Sequence, residues 1–168
     1  YARQLCGKFT WSDLHYGYQL DAKDSDLSFD NRDNAALMPK CVVLAPQTPR
    51  IPQQNRIKKR DTVIYEAHVK GMSKLHPGLP SEQRGTFKGM GHQVIIDHLR
   101  KLGITSLELL PVQSFLDEHF LVQKGLSNYW GYNTLSFFSP HQAYMQGNDV
   151  SEFREMVDAL HDAGIEII

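Results

Sequence analysis

A repeated junction between a helix and a strand is the feature that most constrains how this chain folds. Residues 98–104 and 160–165 each run from the end of a helical pattern through a glycine into an apolar strand, and the two glycines, Gly103 and Gly164, are 61 residues apart. A glycine at this place is typical of a helix C-terminus, where the backbone turns into the left-handed region. The repeat predicts an α/β fold with a parallel sheet and right-handed crossovers.

Three segments of the chain predict the strands of this sheet. Residues 62–69, 104–111 and 165–168 are rich in β-branched, aromatic and aliphatic side chains. Residues 1–61 have a different character, because prolines, glycines and an acidic run break any long periodicity. We therefore divide the chain into an irregular segment, 1–61, and an α/β portion, 62–168.

Two helices are predicted between these strands. The first covers residues 92–102, and its apolar side chains, Ile95, Leu99 and Leu102, fall on one face. The second begins after Asp149, which forms a variant of the capping box with Glu152. Its apolar stripe consists of Val150, Phe153, Val157 and Leu160.

The connections between these elements differ in length, which narrows the possible architectures. Residues 112–148 form a connection too long to be structureless, so we expect this segment to be functional or to contain elements of its own. Long strand-to-helix loops build the active face of a (β/α)₈ barrel, but a doubly wound sheet shows the same asymmetry. A dinucleotide-binding turn is not supported, since Gly89 and Gly91 lie far beyond the first strand and Val94 replaces the third glycine.

Charge and composition argue against several classes of partner. The chain has 18 Lys and Arg against 19 Asp and Glu, a net charge of −1, so no overall basic field attracts nucleic acid or an anionic membrane. No apolar run approaches the ~18 residues that span a bilayer. We expect neither a nucleic-acid nor a membrane partner.

Metal and cofactor sites are not indicated by the sequence either. The histidines show no zinc-ligand spacing, and a calcium loop starting at Asp24 fails at Phe29 and Ala35. Cys6 and Cys41 form no metal-ligand pair, and two free thiols favour the cytoplasm. We therefore predict a cytoplasmic protein without metal or cofactor.

Residues 128–140 carry the pattern that most clearly indicates a function. Aromatic rings alternate there with amides and hydroxyls. Sugars have apolar C–H faces and polar rims, which a flat ring and neighbouring amides complement. The alternative interpretation is that Trp130, Phe137 and Phe138 only pin the loop to the core.

Several segments of the sequence resemble glycogen debranching enzymes of the isoamylase type, in the α-amylase superfamily of glycoside hydrolases (family 13). The resembling segments are 26–33 and 38–43, similar to the connector before the barrel; 65–73 and 103–112, similar to the first two barrel strands; 128–140, similar to the following loop; and 163–168, similar to the entry to the third strand. The strand segments are shared with branching and trehalose-releasing relatives. The Asp-rich connector together with Asn-Tyr-Trp-Gly-Tyr-Asn-Thr favours the debranching type.

The resemblance implies a fold and an activity. Residues 62–168 would be the first three strands of an incomplete (β/α)₈ TIM barrel, and 1–61 a connector from a preceding N-terminal domain. The substrate would be glycogen or a branched α-glucan, cleaved at α-1,6 branch linkages by a retaining two-carboxylate mechanism. In the family the catalytic carboxylates lie on later strands, so we expect no catalytic residue here and an inactive fragment. Glu66 and Glu108 are assigned to the scaffold.

The resemblance also implies substrate-binding residues. Tyr132 matches the tyrosine that stacks on the sugar ring at the cleavage subsite, and Asn128, Trp130 and Asn133 lie beside it in sequence. His68 either lines the cleft or is a buried, hydrogen-bonded histidine. Two alternatives to a debranching enzyme stay open: another enzyme of the superfamily, branching or trehalose-releasing, and a non-catalytic glucan-binding module.

Overall fold

A three-stranded parallel sheet with helices on one face organises the chain. The structure, a computed structural model, describes residues 2–46, 57–147 and 149–168. The strands are β1 (Leu5–Cys6), β2 (Lys40–Cys41), β3 (Ile64–Ala67), β4 (Ser106–Leu109), β5 (Gln113–Phe115), β6 (Thr134–Pro140) and β7 (Glu166–Ile167). The helices are α1 (Val69–Ser73), α2 (Phe87–Met90), α3 (Gln93–Lys101), α4 (His119–Gln123) and α5 (Ser151–Asp162).

The central sheet confirms the predicted α/β fold. Its strand order is β3-β4-β7, with both pairs parallel. Each of the three strands lies inside a segment predicted as a strand, and each is shorter than predicted at both ends. Ser106 is in register with Ile64 on one side and with Glu166 on the other.

The two faces of this sheet differ in chemistry. Tyr65, Ala67, Leu107, Leu109 and Ile167 point to one face and pack into the hydrophobic core with the helices. The residues in register on the other face are Ile64, Glu66, Ser106, Glu108 and Glu166, and the three carboxylate residues among them are exposed. One face is therefore buried by helices, whereas the other is open and acidic.

Helix α3 follows the prediction except at its last apolar position. Ile95 and Leu99 are buried in the core, and Leu99 is 0% exposed. Leu102, predicted on the same face, is 52% exposed, because it is the C-cap residue and the chain leaves the helix there. Gly103 follows with φ +75°, so the predicted glycine turn is confirmed.

The start of helix α5 differs from the predicted capping box. Asp149 Oδ1 accepts a hydrogen bond from the Ser151 N–H at 2.9 Å, but the N-cap position is occupied by Val150, whose side chain makes no capping bond. The Glu152 side chain, which is buried, turns away and accepts from the N–H groups of Gln146 and Gly147 at 2.7 and 2.5 Å. Glu152 therefore fixes the preceding turn, because charge-assisted bonds compensate the burial of its carboxylate.

Residues 112–148 contain elements of their own, as predicted. Strands β5 and β6 form an antiparallel pair with irregular register, and helix α4 lies between them. Residues 134–140, which the sequence placed in a loop, therefore form a strand. His141 continues the pairing by donating its N–H to Val112 O at 2.8 Å.

The N-terminal segment is held by short pairings and turns. Strands β1 and β2 pair antiparallel, with Leu5 opposite Cys41 and Cys6 opposite Lys40. Cys6 and Cys41 therefore point to opposite faces of the pair, and both are free thiols. Residues 47–56 of the predicted connector lie outside the described residues. Within the described ranges no helix is both long and apolar enough to cross a membrane.

The contrast between Leu99 and Leu102 gives a matched test of the core. Replacing Leu99 by Ala should lower the free energy of unfolding by about 2–5 kcal/mol, because it leaves a cavity under α3. Replacing the exposed Leu102 by Ala on the same helix should change it by less than about 0.5 kcal/mol. Urea unfolding followed by far-UV circular dichroism measures both, and equal losses would contradict the helix orientation described above.

Candidate substrate-binding site

A shallow cavity lies where strands β3 and β4 end. It has a volume of about 270 Å³, and Glu66 and Glu108, which are in register on adjacent strands, line it together with Tyr132. The other lining residues are Leu109, Leu110, Pro111 and Gln113. Tyr132 is 69% exposed, so a flat ring faces solvent at the rim of a carboxylate-lined cavity. The carboxyl ends of parallel strands are where α/β proteins place their ligands.

The segment that carries Tyr132 is held in place by Asn128. The Asn128 amide nitrogen donates to Leu116 O and Glu118 Oε1, both at 3.1 Å, and its side-chain oxygen accepts from the Gly131 N–H at 2.8 Å. The Asn128 backbone N–H donates to Asp117 Oδ1 at 2.6 Å. Asn128 thus ties residues 116–118 to the turn before Tyr132, and its side chain is a structural clamp rather than a part of the cavity wall.

Gly131 makes the turn between Trp130 and Tyr132 possible. Its φ is +81°, in the left-handed region, and a Cβ there would lie 2.7 Å from the ring of Phe115. A glycine is therefore required both for conformation and for space. The close packing on Phe115 fixes the point from which Tyr132 leaves the turn.

The other predicted residues contribute differently. Trp130 is exposed and lies edge-on to Tyr129, outside the group that lines the cavity with Tyr132. Asn133 accepts a hydrogen bond from Leu116 N through its carbonyl, at 2.8 Å. Of the five predicted site residues, the structure thus places only Tyr132 in the wall of this cavity.

His68 takes the second of the two roles left open by the sequence. It is buried, and its Nδ1 accepts from the N–H groups of Lys70 and Gly71 at 3.1 and 3.0 Å, which caps helix α1. Its Nε2 lies 2.6 Å from Tyr129 O and 3.2 Å from Tyr144 Oη. His68 is therefore a buried, hydrogen-bonded histidine and does not line the cleft.

Phe137 and Phe138 do not pin the loop to the core. They are 77% and 62% exposed on strand β6, although the alternation of a regular strand would bury one of them. The irregular register between β5 and β6 accounts for this, because it breaks the alternation. The interpretation of these rings as core anchors is wrong.

Tyr129 and Tyr144 were missed in the sequence although they complete the surroundings of His68. The Tyr129 ring stacks on His68 with centroids 4.2 Å apart and planes 5° apart, and Tyr144 lies edge-on to the same imidazole. Burial raises the pKa of Tyr144 to about 12, so its phenol is neutral at ordinary pH. No local pattern signals this cluster, because the partners are 61 and 76 residues from His68.

His141 is a second buried imidazole close to this cluster. It stacks on Phe115 with centroids 3.6 Å apart and planes 6° apart, and its Nδ1 lies 3.5 Å from the Phe115 N–H. Burial lowers the pKa of His141 to about 4, since the apolar stack disfavours the charged form. The charge of Asp117 opposes this shift, and that of Lys70 adds to it.

A larger cavity, about 560 Å³, lies between the N-terminal segment and residues 112–148. Trp11 lines it, but the ring is already covered: it stacks on His119 at 5.4 Å and meets the edge of Phe9 at 5.0 Å. The Trp11 indole N–H donates to Asp117 O at 2.7 Å. This cavity therefore offers no free aromatic platform comparable to Tyr132.

Among the described residues, no group of three or more His, Cys, Asp or Glu side chains is placed to hold a metal ion. The chemistry available at the cavity is thus that of two carboxylates, an amide and an exposed phenol.

Comparison with known sequences confirms the predicted resemblance to glycogen debranching proteins. The whole chain is 44% identical, over 179 aligned residues, to the glycogen operon protein GlgX homologues of Mycobacterium bovis and Mycobacterium tuberculosis. The chain spans 24% of the length of these relatives. No family model matches the chain.

Comparison with solved structures finds the same fold in pullulanases and in a glycogen-degrading protein. A pneumococcal multi-modular glycogen-degrading virulence factor, SpuA, matches the whole chain with a TM-score of 0.66 and 23% identity, over 17% of its own chain. Type I pullulanase from Bacillus subtilis, solved with maltose, matches 78% of this chain and 20% of its own with a TM-score of 0.61 and 24% identity. Pullulanase from Bacillus acidopullulyticus matches 64% of this chain and 14% of its own, with a TM-score of 0.54 and 28% identity.

The pKa of His141 predicts how stability depends on pH. The unfolded chain binds a proton at His141 below about pH 6.5, whereas the folded chain does so only near pH 4. Protonation of His141 should therefore leave the free energy of unfolding unchanged above pH 6.5. Between pH 6.5 and 4 it should lower that free energy by on the order of 2–3 kcal/mol. Urea unfolding across this range measures the loss. In His141→Phe, which keeps a stacked ring but cannot be protonated, the part of the loss due to this residue should vanish; an unchanged pH profile would contradict the assignment.

Proposed function

We propose that this chain, homologous over its whole length to a segment of the GlgX glycogen operon proteins, is part of a glycoside hydrolase that cleaves α-1,6 branch linkages. The proposed substrate is glycogen or a related branched α-glucan. The observation that carries the proposal is the combination of 44% identity along the entire chain with an exposed tyrosine at the carboxyl ends of the parallel strands. In this proposal the enzyme works in the cytoplasm without metal, cofactor, nucleic acid or membrane partner.

The three parallel strands are proposed to be the first three strands of a (β/α)₈ barrel. The order β3-β4-β7 follows the order of the chain, as consecutive strands of such a barrel do, and helix α3 or α5 lies in each crossover. In a doubly wound sheet the order reverses at a switch point, which these three strands do not show. We assign residues 62–168 to the barrel and 1–61 to a connector from a preceding domain.

Tyr132 is proposed to stack on a glucose ring at the cleavage subsite. Its ring is exposed, its backbone is fixed by Gly131 and Asn128, and Gln113 lies beside it in the cavity wall. A rigid, exposed ring loses little entropy when a sugar settles on it. Trp130 and Asn133 are proposed to shape the neighbouring surface, and Asn128 to hold the turn.

The carboxylates in the cavity are not proposed as catalysts. A retaining glycosidase needs two carboxyl groups that flank the scissile bond, one as nucleophile and one as acid and base. Glu66 and Glu108 stand side by side on the same face of adjacent strands, so they reach a bound sugar from one side. We assign the catalytic pair to other parts of the whole enzyme and propose no catalytic residue in this chain.

The reaction is tested by comparing the chain alone with the chain in a larger context. Residues 1–168 should release no reducing ends from glycogen. A chimera in which they replace the matching segment of the M. tuberculosis GlgX homologue should release linear chains, detected by iodine staining and reducing-end assay. Hydrolysis by residues 1–168 alone would overturn the assignment of the catalysts. Transfer products would favour a branching enzyme. A chimera that binds glycogen without cleaving it would favour a glucan-binding module.

The role of Tyr132 is tested by binding of maltotetraose to the chain. Tyr132→Ala should weaken binding about tenfold, since ring stacking is worth up to about 1.4 kcal/mol. Tyr132→Phe keeps the ring and should stay within about threefold. Phe137→Ala is the matched control, because it removes an equally exposed ring from strand β6 and should leave the dissociation constant unchanged. Isothermal titration calorimetry measures all three; equal effects of Tyr132→Ala and Phe137→Ala would refute the assignment.

A further inference from the structure

Two separate parts of the chain, residues 64–73 and the segment after α4, meet at the imidazole of His68. It directly follows β3, it caps α1 through Nδ1, and it contacts the segment after α4 through Tyr129 O. Tyr144 approaches from a third part of the chain, with its hydroxyl 3.2 Å from Nε2. The imidazole is 7% exposed, so these contacts form away from solvent, where hydrogen bonds compete little with water.

The contacts fix which ring nitrogen carries the proton. Nδ1 accepts from two backbone N–H groups and therefore has no hydrogen. The proton of the neutral ring is on Nε2, which donates to Tyr129 O at 2.6 Å. The ring is thus a directional link from helix α1 to one particular carbonyl of the loop.

Tyr129 connects the hydrogen bond of His68 to the candidate site, because it lies in the same loop as Tyr132. It is followed directly by Trp130, whose ring lies edge-on to Tyr129 at 5.2 Å and to His68 at 6.4 Å. Gly131 and Tyr132 come next. The Tyr129 hydroxyl also lies over Gly71, where a Cβ would collide with it, so the ring of Tyr129 packs on α1 at a position that only glycine leaves open.

The loop has a second anchor of a different kind. Asn128 ties it to residues 116–118, which belong to the same long segment. These bonds of Asn128 do not reach strand β3 or β4. The hydrogen bond from His68 Nε2 to Tyr129 O joins the backbone of this loop to the end of β3.

From this arrangement we infer that His68 is a positioning residue, which holds the Trp130–Tyr132 segment over the Glu66–Glu108 cavity through its Nε2–H bond to Tyr129 O. The inference rests on the proposed function where it concerns sugar binding. His68 itself does not touch the ligand, and its effect is exerted through the placement of Tyr132.

Two substitutions separate this role from helix capping. In His68→Asn the side-chain oxygen takes the place of Nδ1. The cap of α1 is therefore kept, and the hydrogen bond to Tyr129 O is lost. In His68→Gln the amide nitrogen reaches the place of Nε2, so the hydrogen bond to Tyr129 O is kept. Both are made in a Trp11→Phe background, which leaves Trp130 as the single tryptophan of the chain.

Two readouts follow the loop and the ligand separately. Time-resolved anisotropy of Trp130 reports local motion, and calorimetry reports maltotetraose binding. We expect His68→Asn to double the amplitude of sub-nanosecond motion and to weaken binding at least threefold, but by no more than the roughly tenfold effect of Tyr132→Ala. His68→Gln should stay within twofold of the parent in both. The inference is overturned if His68→Asn leaves Trp130 motion unchanged, or if both variants are impaired alike.

Failure of the proposed function has a different outcome. If the parent does not bind maltotetraose while the two variants still differ in Trp130 motion, the positioning role stands and the sugar subsite does not.

A measurement on the unsubstituted chain covers the case in which a variant does not fold. ¹⁵N NMR of His68 should show an unprotonated Nδ1 and a slowly exchanging Nε2–H; the opposite tautomer would overturn the inference.

Discussion

Parallel pairing of β4 with β3 and β7 is the constraint on which the rest of the structure depends. Parallel strands cannot be joined by a tight turn, so each connection must cross over the sheet. The two crossovers bring α3 and α5 to the same face, where they bury Leu107, the central apolar residue of β4. The same geometry directs all three strands toward one edge. The residues that follow β3 and β4 lie close together at this edge because of the strand directions alone.

At that edge the structure changes from regular pairing to side-chain hydrogen bonds. The segment 128–133 has no strand or helix of its own, yet it is fixed at several points by Asn128, His68 and Gly131. Asn128 and His68 satisfy backbone groups that a loop would otherwise leave to water, and the Gly131 N–H is one of them. An exposed ring on such a segment is displayed by a rigid support, which is the condition for binding at low entropic cost.

The elements of the sheet could be predicted from the sequence because their signals are local. Gly103 and Gly164 marked the ends of helices correctly, and the apolar strands could be located by composition alone. Leu102 was misplaced because the helical period continues in the sequence one residue beyond the point where the helix ends. Strand β6 was missed because its alternation is broken by the irregular register with β5, which leaves both Phe137 and Phe138 exposed.

The candidate site could be predicted only in part, for a related reason. Tyr132 stands out through its neighbours in sequence and through the family resemblance, which the comparisons with relatives confirm. The contacts of His68 with Tyr129 and Tyr144 join residues far apart in the chain, and no periodicity encodes them. Whether His68 lined the cleft or was buried was therefore decided by tertiary structure alone.

The open face of the sheet has a consequence for anything that comes to rest on it. Glu66, Glu108 and Glu166 project from three adjacent strands, and Ser106 already donates to Glu166 Oε2 at 3.1 Å. A purely hydrocarbon surface laid against them would strip water from three carboxylates at a cost of several kcal/mol each. Whatever occupies this side must bring its own N–H or O–H groups, or keep a layer of water. This face of the sheet therefore favours a polar or hydrated neighbour.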